Sequence, residues 1–171
     1  MGPPWRTESV GFGDAQARDT LALMVGEVQR GLGDDLTRTL ARRILYTSDL
    51  SDRVAVAATL RCFLADHYRF VPDARGPWVD LIRTPHAQAN AILNAGEAAG
   101  DCDDLAVLGA TLGRLAGLAA RFVAVGFQGP DGPLSHVWAE VATPLGWLDL
   151  DVTRPQGNLP PVTRRRVVPV A

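Results

Sequence analysis

Gly100-Asp101-Cys102-Asp103-Asp104 runs straight into Leu105, Leu108, Leu112 and Leu115, which puts one of the chain's two cysteines on the first turn of a predicted helix. Free backbone N–H groups and the positive end of the helix dipole meet there, and both favour a thiolate over a thiol. Cys102 is therefore a candidate nucleophile. The three neighbouring carboxylates oppose a negative sulfur, so an imidazolium would have to help hold it. Asp101 suits the N-cap and Asp104 the capping-box position three residues on, both structural roles.

A thiol nucleophile needs a base, and the base needs an orienting acceptor. Of the three histidines, His67 closes a helix beside its core stripe and His86 follows Pro85 at a helix start, so both read as packing or surface residues. His136 differs, because it opens the strand-like series His136-Val137-Trp138-Ala139-Glu140-Val141. If Ala142 stands opposite Trp147, Glu140 faces Asp149, Trp138 faces Asp151 and His136 faces Thr153. Asp151 is then a diagonal neighbour of His136, with Cβ atoms about 7–8 Å apart or closer, and Asp149 lies further away. A bulge would spoil this register, so both aspartates stay candidates, with Asp151 preferred.

Asp101, Cys102, Asp103, Asp104, His136 and Asp151 also carry metal-ligand chemistry. Consecutive helix residues diverge by about 100°, however, and cannot all face one ion. No metal and no cofactor is expected. Neither Cys62 nor Cys102 belongs to a CxxC spacing, which argues against a disulfide or zinc scaffold. Cys62, between Leu60 and Phe63, reads as core.

The elements that must position these residues are legible from periodicity. Leu21, Met24, Val25, Val28 and Leu32 mark a first helix ending at Gly31 and Gly33. Asp34 or Asp35 caps a second, with Leu36, Leu40, Ile44 and Leu45 on one stripe. A third begins near Ser51, a suitable N-cap, and carries Val54, Ala57, Leu60, Phe63 and Leu64 toward Tyr68. Prolines 72, 77 and 85 and Gly76 make residues 70–85 an extended loop, with a short strand at Val79 to Ile82 and a short helix from Pro85 to Asn94 after it. The Cys102 helix ends near Gly117 in an αL cap. From Ala119 the period changes from 3.6 to 2, giving strands at Arg121–Phe127, His136–Ala142 and Trp147–Asp151. The tail from Arg154 reads as mostly irregular, with Arg166 to Val170 as an edge strand. Helices first and an antiparallel sheet last define an α+β class.

The 171 residues fit one domain covering 1–171. A hydrophobic content of 47%, 21% charged residues and a net charge of −2 describe an ordinary globular chain, with neither nucleic acid nor membrane implied as partner. All 17 basic residues are arginine. The first ten residues lack a signal-like apolar region and no run approaches the roughly 18 residues of a membrane span, so the chain reads as made in the cytoplasm or carried by a larger particle.

Three blocks in order resemble the transglutaminase-like superfamily of papain-related cysteine enzymes. They are Gly-Asp-Cys-Asp-Asp before an apolar helix with Gly-Leu-Ala-Ala-Arg at 117–121, His-Val-Trp at 136–138, and Gly-Trp with Asp-Val-Thr at 146–153. Together they span residues 98–153. The resemblance implies a transglutaminase-like fold, with N-terminal helices packed on the sheet. It also implies Cys102 as nucleophile, His136 as general base and acid, and Asp151 as orienting acceptor, since the family's aspartate lies four residues past the tryptophan. Val152 and Ala119 stand where the family often has proline, and both are peripheral to the triad. The family's oxyanion side chain has no motif here, and the Cys102 backbone N–H is the donor that geometry favours. Tyr68-Arg69-Phe70-Val71-Pro72-Asp73 and Thr84-Pro85 are similar to a subset encoded among phage structural genes, which implies a virion or tail setting and phage structural proteins as partners.

Many bacterial members look like proteases or amidases. The expected activity is thus hydrolysis of a peptide or amide bond, in a protein or a peptidoglycan peptide, with transfer to an amine as the acyltransferase variant. The rival is a non-catalytic structural or assembly protein that retains the fold.

Overall fold

Every residue from Asp103 to Gly113 is buried, so the Cys102 helix is enclosed on all sides and lies at the centre of the molecule. The computed structural model describes residues 5–9, 14–72, 79–153 and 160–171. In chain order these form β1 (Trp5–Ser9), α1 (Asp14–Leu32), α2 (Asp35–Ile44), α3 (Arg53–His67), β2 (Tyr68–Phe70), β3 (Val79–Arg83) and α4 (Pro85–Ala95). There follow β4 (Ala98–Gly100), α5 (Cys102–Leu115), β5 (Ala120–Gly126), β6 (His136–Thr143), β7 (Gly146–Asp149) and β8 (Arg164–Val170). Helices α1 to α4 pack on or beside α5, and the antiparallel sheet β7-β6-β5-β8 covers its other side. Phe122, Ala139 and Val141 from that sheet, and Leu150 just past β7, join Leu108 and Leu112 in the core.

The helix starts follow local chemistry. Asp34 caps α2 by accepting from the Thr37 N–H at 2.8 Å, and Thr84 caps α4 by accepting from the Ala87 N–H at 3.2 Å, with Pro85 at the first helical position. The third helix departs from expectation: Asp52 caps it through the Val54 and Ala55 N–H groups, while Ser51 donates its hydroxyl to Asp49 at 2.7 Å. A carboxylate outcompetes the neighbouring hydroxyl as acceptor. Gly117 takes φ 79° just past α5, as its cap position requires.

The sheet register agrees with the expected pairing, Ala142 opposite Trp147 and Glu140 opposite Asp149. Two boundaries differ. β7 ends at Asp149, two residues early, because Asp151 turns its carboxylate onto its own Thr153 N–H and hydroxyl, at 2.9 and 2.6 Å, and closes the strand. β8 begins at Arg164, two residues before the expected edge strand, and pairs along the whole of β5. As an edge strand it tolerates Pro169. The pairings β1 with β3 and β2 with β4 form two further small sheets. The expected loop through 73–78 and the irregular tail at 154–159 lie outside the described residues. No helix among the described residues is long and apolar enough to cross a membrane.

Candidate active site

Cys102 is presented by a short parallel pairing. β2 and β4 align Phe70 with Gly100, and the Val71 N–H donates to the Gly100 carbonyl at 2.8 Å, which fixes the chain just before the helix. Asp101 and Asp104 form the expected capping box, with Asp104 Oδ2 accepting the Asp101 N–H at 3.4 Å. Asp104 does more than cap. It is fully buried, accepts the Arg83 backbone N–H at 2.5 Å, and forms an ion pair with the Arg83 guanidinium. Gln88 Nε2 ties the same corner together by donating to the Arg83 and Asp104 carbonyls, at 3.1 and 3.0 Å. Tyr68 donates its hydroxyl to the Asp101 carbonyl at 3.3 Å. A Cβ on Gly100 would collide with Asp104 Oδ2 and lie 2.5 Å from the Tyr68 hydroxyl and 2.8 Å from Arg83 Nη1, so only glycine lets the three side chains meet.

Burial raises the Asp104 carboxyl to about 7, with the Arg83 backbone N–H pulling it back and Asp101 adding to the push. Asp101, Asp103 and Asp104 bring carboxylate oxygens within 4.8 Å of one another. They converge more closely than the helical fan of consecutive residues implied, because Asp101 stands outside the helix. Arg83 occupies that cluster through Asp104.

His136 and Asp151 meet as the register implied: His136 Nε2 and Asp151 Oδ2 are 2.7 Å apart, and both side chains are largely buried. Asp149 is elsewhere, 3.6 Å from Arg61 Nε. Burial pushes the Asp151 carboxyl up, but the bonds from His136 and Thr153 outweigh it and leave the group below the usual carboxylate range. The Trp138 ring lies 5.7 Å from the imidazole, centroid to centroid, and Trp138 Nε1 donates to Glu140 at 3.2 Å. With Nε2 engaged by Asp151, Nδ1 is the ring nitrogen left for another group.

Cys102 and His136 line the same cleft, of about 320 Å³, whose other walls include Gln16 and Thr20 of α1 and Ser135 before β6. Asp151 stands behind His136, away from the lining. The thiol, however, does not favour its anion. Burial pushes Cys102 up to about 12; Asp103 and Asp101 add to this, and only a backbone hydrogen bond from Val137 pulls it down before the Asp151 charge adds again. The flanking carboxylates oppose the anion, as their positions in the sequence implied, and burial adds the larger push. Chemically the cleft offers a thiol disfavoured as an anion and, in the same lining, an imidazole whose Nε2 is held by the Asp151 carboxylate.

The remaining candidates fall away from the cleft. His67 Nδ1 lies 2.7 Å from the Gly96 carbonyl, and His86 Nδ1 lies 2.8 Å from Asp34 Oδ2 at the cap of α2. Cys62 is exposed and not core; α3 buries Val56, Ala57, Leu60 and Leu64, and a residue two positions past Leu60 points about 200° away. Sequence reasoning passed over Arg83, Gln88 and Thr153, whose roles depend on partners far along the chain or on a strand ending early. Thr153, two residues after an aspartate, carried a legible turn signal.

A central helix that begins at Cys102 and packs on an antiparallel sheet carrying His136 is the layout of the papain-related class of α+β cysteine folds. Residues 38–152 match the family model of the transglutaminase-like superfamily, and the chain belongs to that superfamily. Among solved structures it is similar to a candidate protease from Parabacteroides distasonis, with a TM-score of 0.53 and 14% identity over 88% of this chain. At that identity the likeness is one of fold. The chain spans 29% of that protein's length. No functionally curated protein matches the chain in sequence.

Proposed function

We propose that this chain is a cysteine-dependent acyl-transfer enzyme that hydrolyses a peptide or amide bond, with Cys102 as nucleophile, His136 as general base and acid, and Asp151 orienting the imidazole. The observation that carries the reading is the 2.7 Å contact between His136 Nε2 and Asp151, made by a histidine that shares its cleft with Cys102. Because the resting thiol is strongly disfavoured as an anion, its proton passes to His136 Nδ1 as sulfur attacks the carbonyl. Asp151, held ionised, stabilises the imidazolium. The Cys102 backbone N–H, free at the first helical turn, donates to the developing oxyanion. The C–N bond then breaks, the amine leaves with the proton from His136, and water cleaves the thioester to return the thiol and a carboxylic acid.

The substrate class proposed is a protein or a peptidoglycan peptide. A phage particle is the proposed setting, supported only by the likeness of residues 68–73 and Thr84-Pro85 to phage-encoded relatives. The raised Cys102 thiol favours one second reading, a structural protein that keeps the fold without turnover. Intact-mass spectrometry after incubation with activated esters and peptide amides separates the two. An acyl adduct on Cys102 that turns over, and that is absent in Cys102→Ala, is expected of the enzyme. An unmodified wild-type chain across the panel would leave the structural reading.

A further inference from the structure

Three consecutive arginines open β8, and they are not equivalent. Arg164 Nη1 donates to the Gly132 carbonyl at 3.0 Å, and Arg165 Nη2 lies 3.6 Å from Glu140 Oε1. Arg166 is different: its Nη1 is buried and finds no hydrogen-bond partner among the described residues. A guanidinium N–H taken out of water and left unbonded bears a desolvation cost that a ligand's acceptor would recover.

The sheet register says where that donor sits. Arg166 pairs with Ala124, and Ala124 pairs with Val137, so the three form one row across β8, β5 and β6 on a single face. Ala124 and Val137 both line the Cys102 cleft. Adjacent residues in such a row stand about 5 Å apart, so Arg166, itself outside the lining, is the next residue in the row beyond Ala124. The helix opposite agrees. Gln29 Nε2 of α1 donates to the carbonyl of Ala171, which anchors the end of β8 on that helix. Counted back from this anchor, five strand residues span about 17 Å and the twelve helix residues to Ala17 about 18 Å. Arg166 thereby comes level with Gln16 and Ala17, two cleft-lining residues of α1.

We infer that Arg166 is the specificity-determining residue of this cleft, and that it recognises a carboxylate carried by the acyl substrate one or two residues from the scissile bond. The inference rests on the acyl-transfer reading of the same cleft and names its substrate as an acidic peptide. The planar guanidinium suits a carboxylate, whereas Asp101 and Asp103 near Cys102 repel one. Without a cation beyond them, the cleft would reject acidic substrates.

The test uses reagent charge at Cys102, read by site-resolved mass spectrometry in a Cys62→Ser background because Cys62 is exposed. The ratio of alkylation rates, anionic iodoacetate over neutral iodoacetamide, is expected to fall by about fivefold in Arg166→Gln, to be largely kept in Arg166→Lys, and to shrink in 1 M salt as charges are screened. The iodoacetamide rate, unchanged in both variants, certifies the fold. An iodoacetate ratio equal in wild type and Arg166→Gln overturns the inference, whether or not the chain hydrolyses peptides. A charge-dependent ratio in a chain without turnover keeps the carboxylate site and discards the enzyme. In a hydrolytically active chain, paired peptides with Glu or Gln beside the scissile bond should differ about tenfold in KM in wild type and converge in Arg166→Gln, with kcat little changed.

Discussion

Asp104 and Asp151 are both largely buried aspartates within hydrogen-bond reach of a basic side chain, yet their carboxyls move in opposite directions. Asp104 sits at the base of α5 with no exposed surface; burial and the nearby Asp101 raise it to about 7 despite two bonds from Arg83. Asp151 keeps 12% of its side-chain surface exposed and takes bonds from the imidazole, the Thr153 hydroxyl and the Thr153 N–H, which together hold it low. Ion pairing alone does not set the charge of a buried acid. The balance of burial, like charge and donors does. One acid thereby suits a structural corner, and the other is held as an anion beside the His136 imidazole.

The largest expected effect separates these roles. Asp151→Asn should lower kcat/KM by on the order of 10³- to 10⁴-fold, the scale seen when a triad acid is removed, while shifting the denaturant midpoint little. Loss of fold in place of loss of rate would show that Asp151 is an architectural residue like Asp104. Asp104→Ala should do the reverse. It removes the acceptor for the Arg83 N–H and guanidinium, at a cost of about 3 kcal/mol of stability, with turnover per folded molecule nearly preserved. Urea unfolding read beside active-site titration checks both. Gly100→Ala belongs with Asp104: the collision with Asp104 and Tyr68 should cost about 2 kcal/mol, and an unchanged midpoint would show that this corner can open.

The part of this contrast that was legible in the sequence is the Asp151 half. His136 opens β6 and Asp151 lies two residues past β7, the neighbouring strand joined to it by a short turn, and period-2 alternation carries register over that distance. The α+β class and the Cys102 helix were legible for a similar reason, since long periodic runs specify their own geometry. Asp104 was legible only as a cap. Its bond to Arg83 spans 21 residues and crosses α4 and β4, whose packing against α5 no local pattern encodes. Three-residue strands such as β2 and β4 are too short to show a period, so the parallel pairing that sets the position of Cys102 left no trace. The helix dipole and the carboxylates acting on Cys102 are visible in sequence, whereas the depth of burial, the largest influence on the thiol, is a property of the packed molecule.

The smallest effect sharpens the comparison through pH. Asp104 has its folded pKa raised from 3.8 to about 7, so in that window the folded chain binds a proton that the unfolded chain has released. Its contribution to stability is complete below pH 3.8 and is lost as pH rises toward 7, with a slope of at most about 1.4 kcal/mol per pH unit. Asp151, held below 3.8, acts in the adjoining window: its contribution is present above pH 3.8 and is lost as pH falls further. Asp104→Asn keeps the side-chain shape and removes the titration, so its unfolding free energy should be nearly flat between pH 4 and 7 where the wild type declines. Asp151→Asn should keep the wild-type decline in that range and lose only the acid limb. Parallel curves for wild type and Asp104→Asn between pH 4 and 7 would mean that Arg83 holds Asp104 as an anion after all, and that the two aspartates differ in position but not in charge.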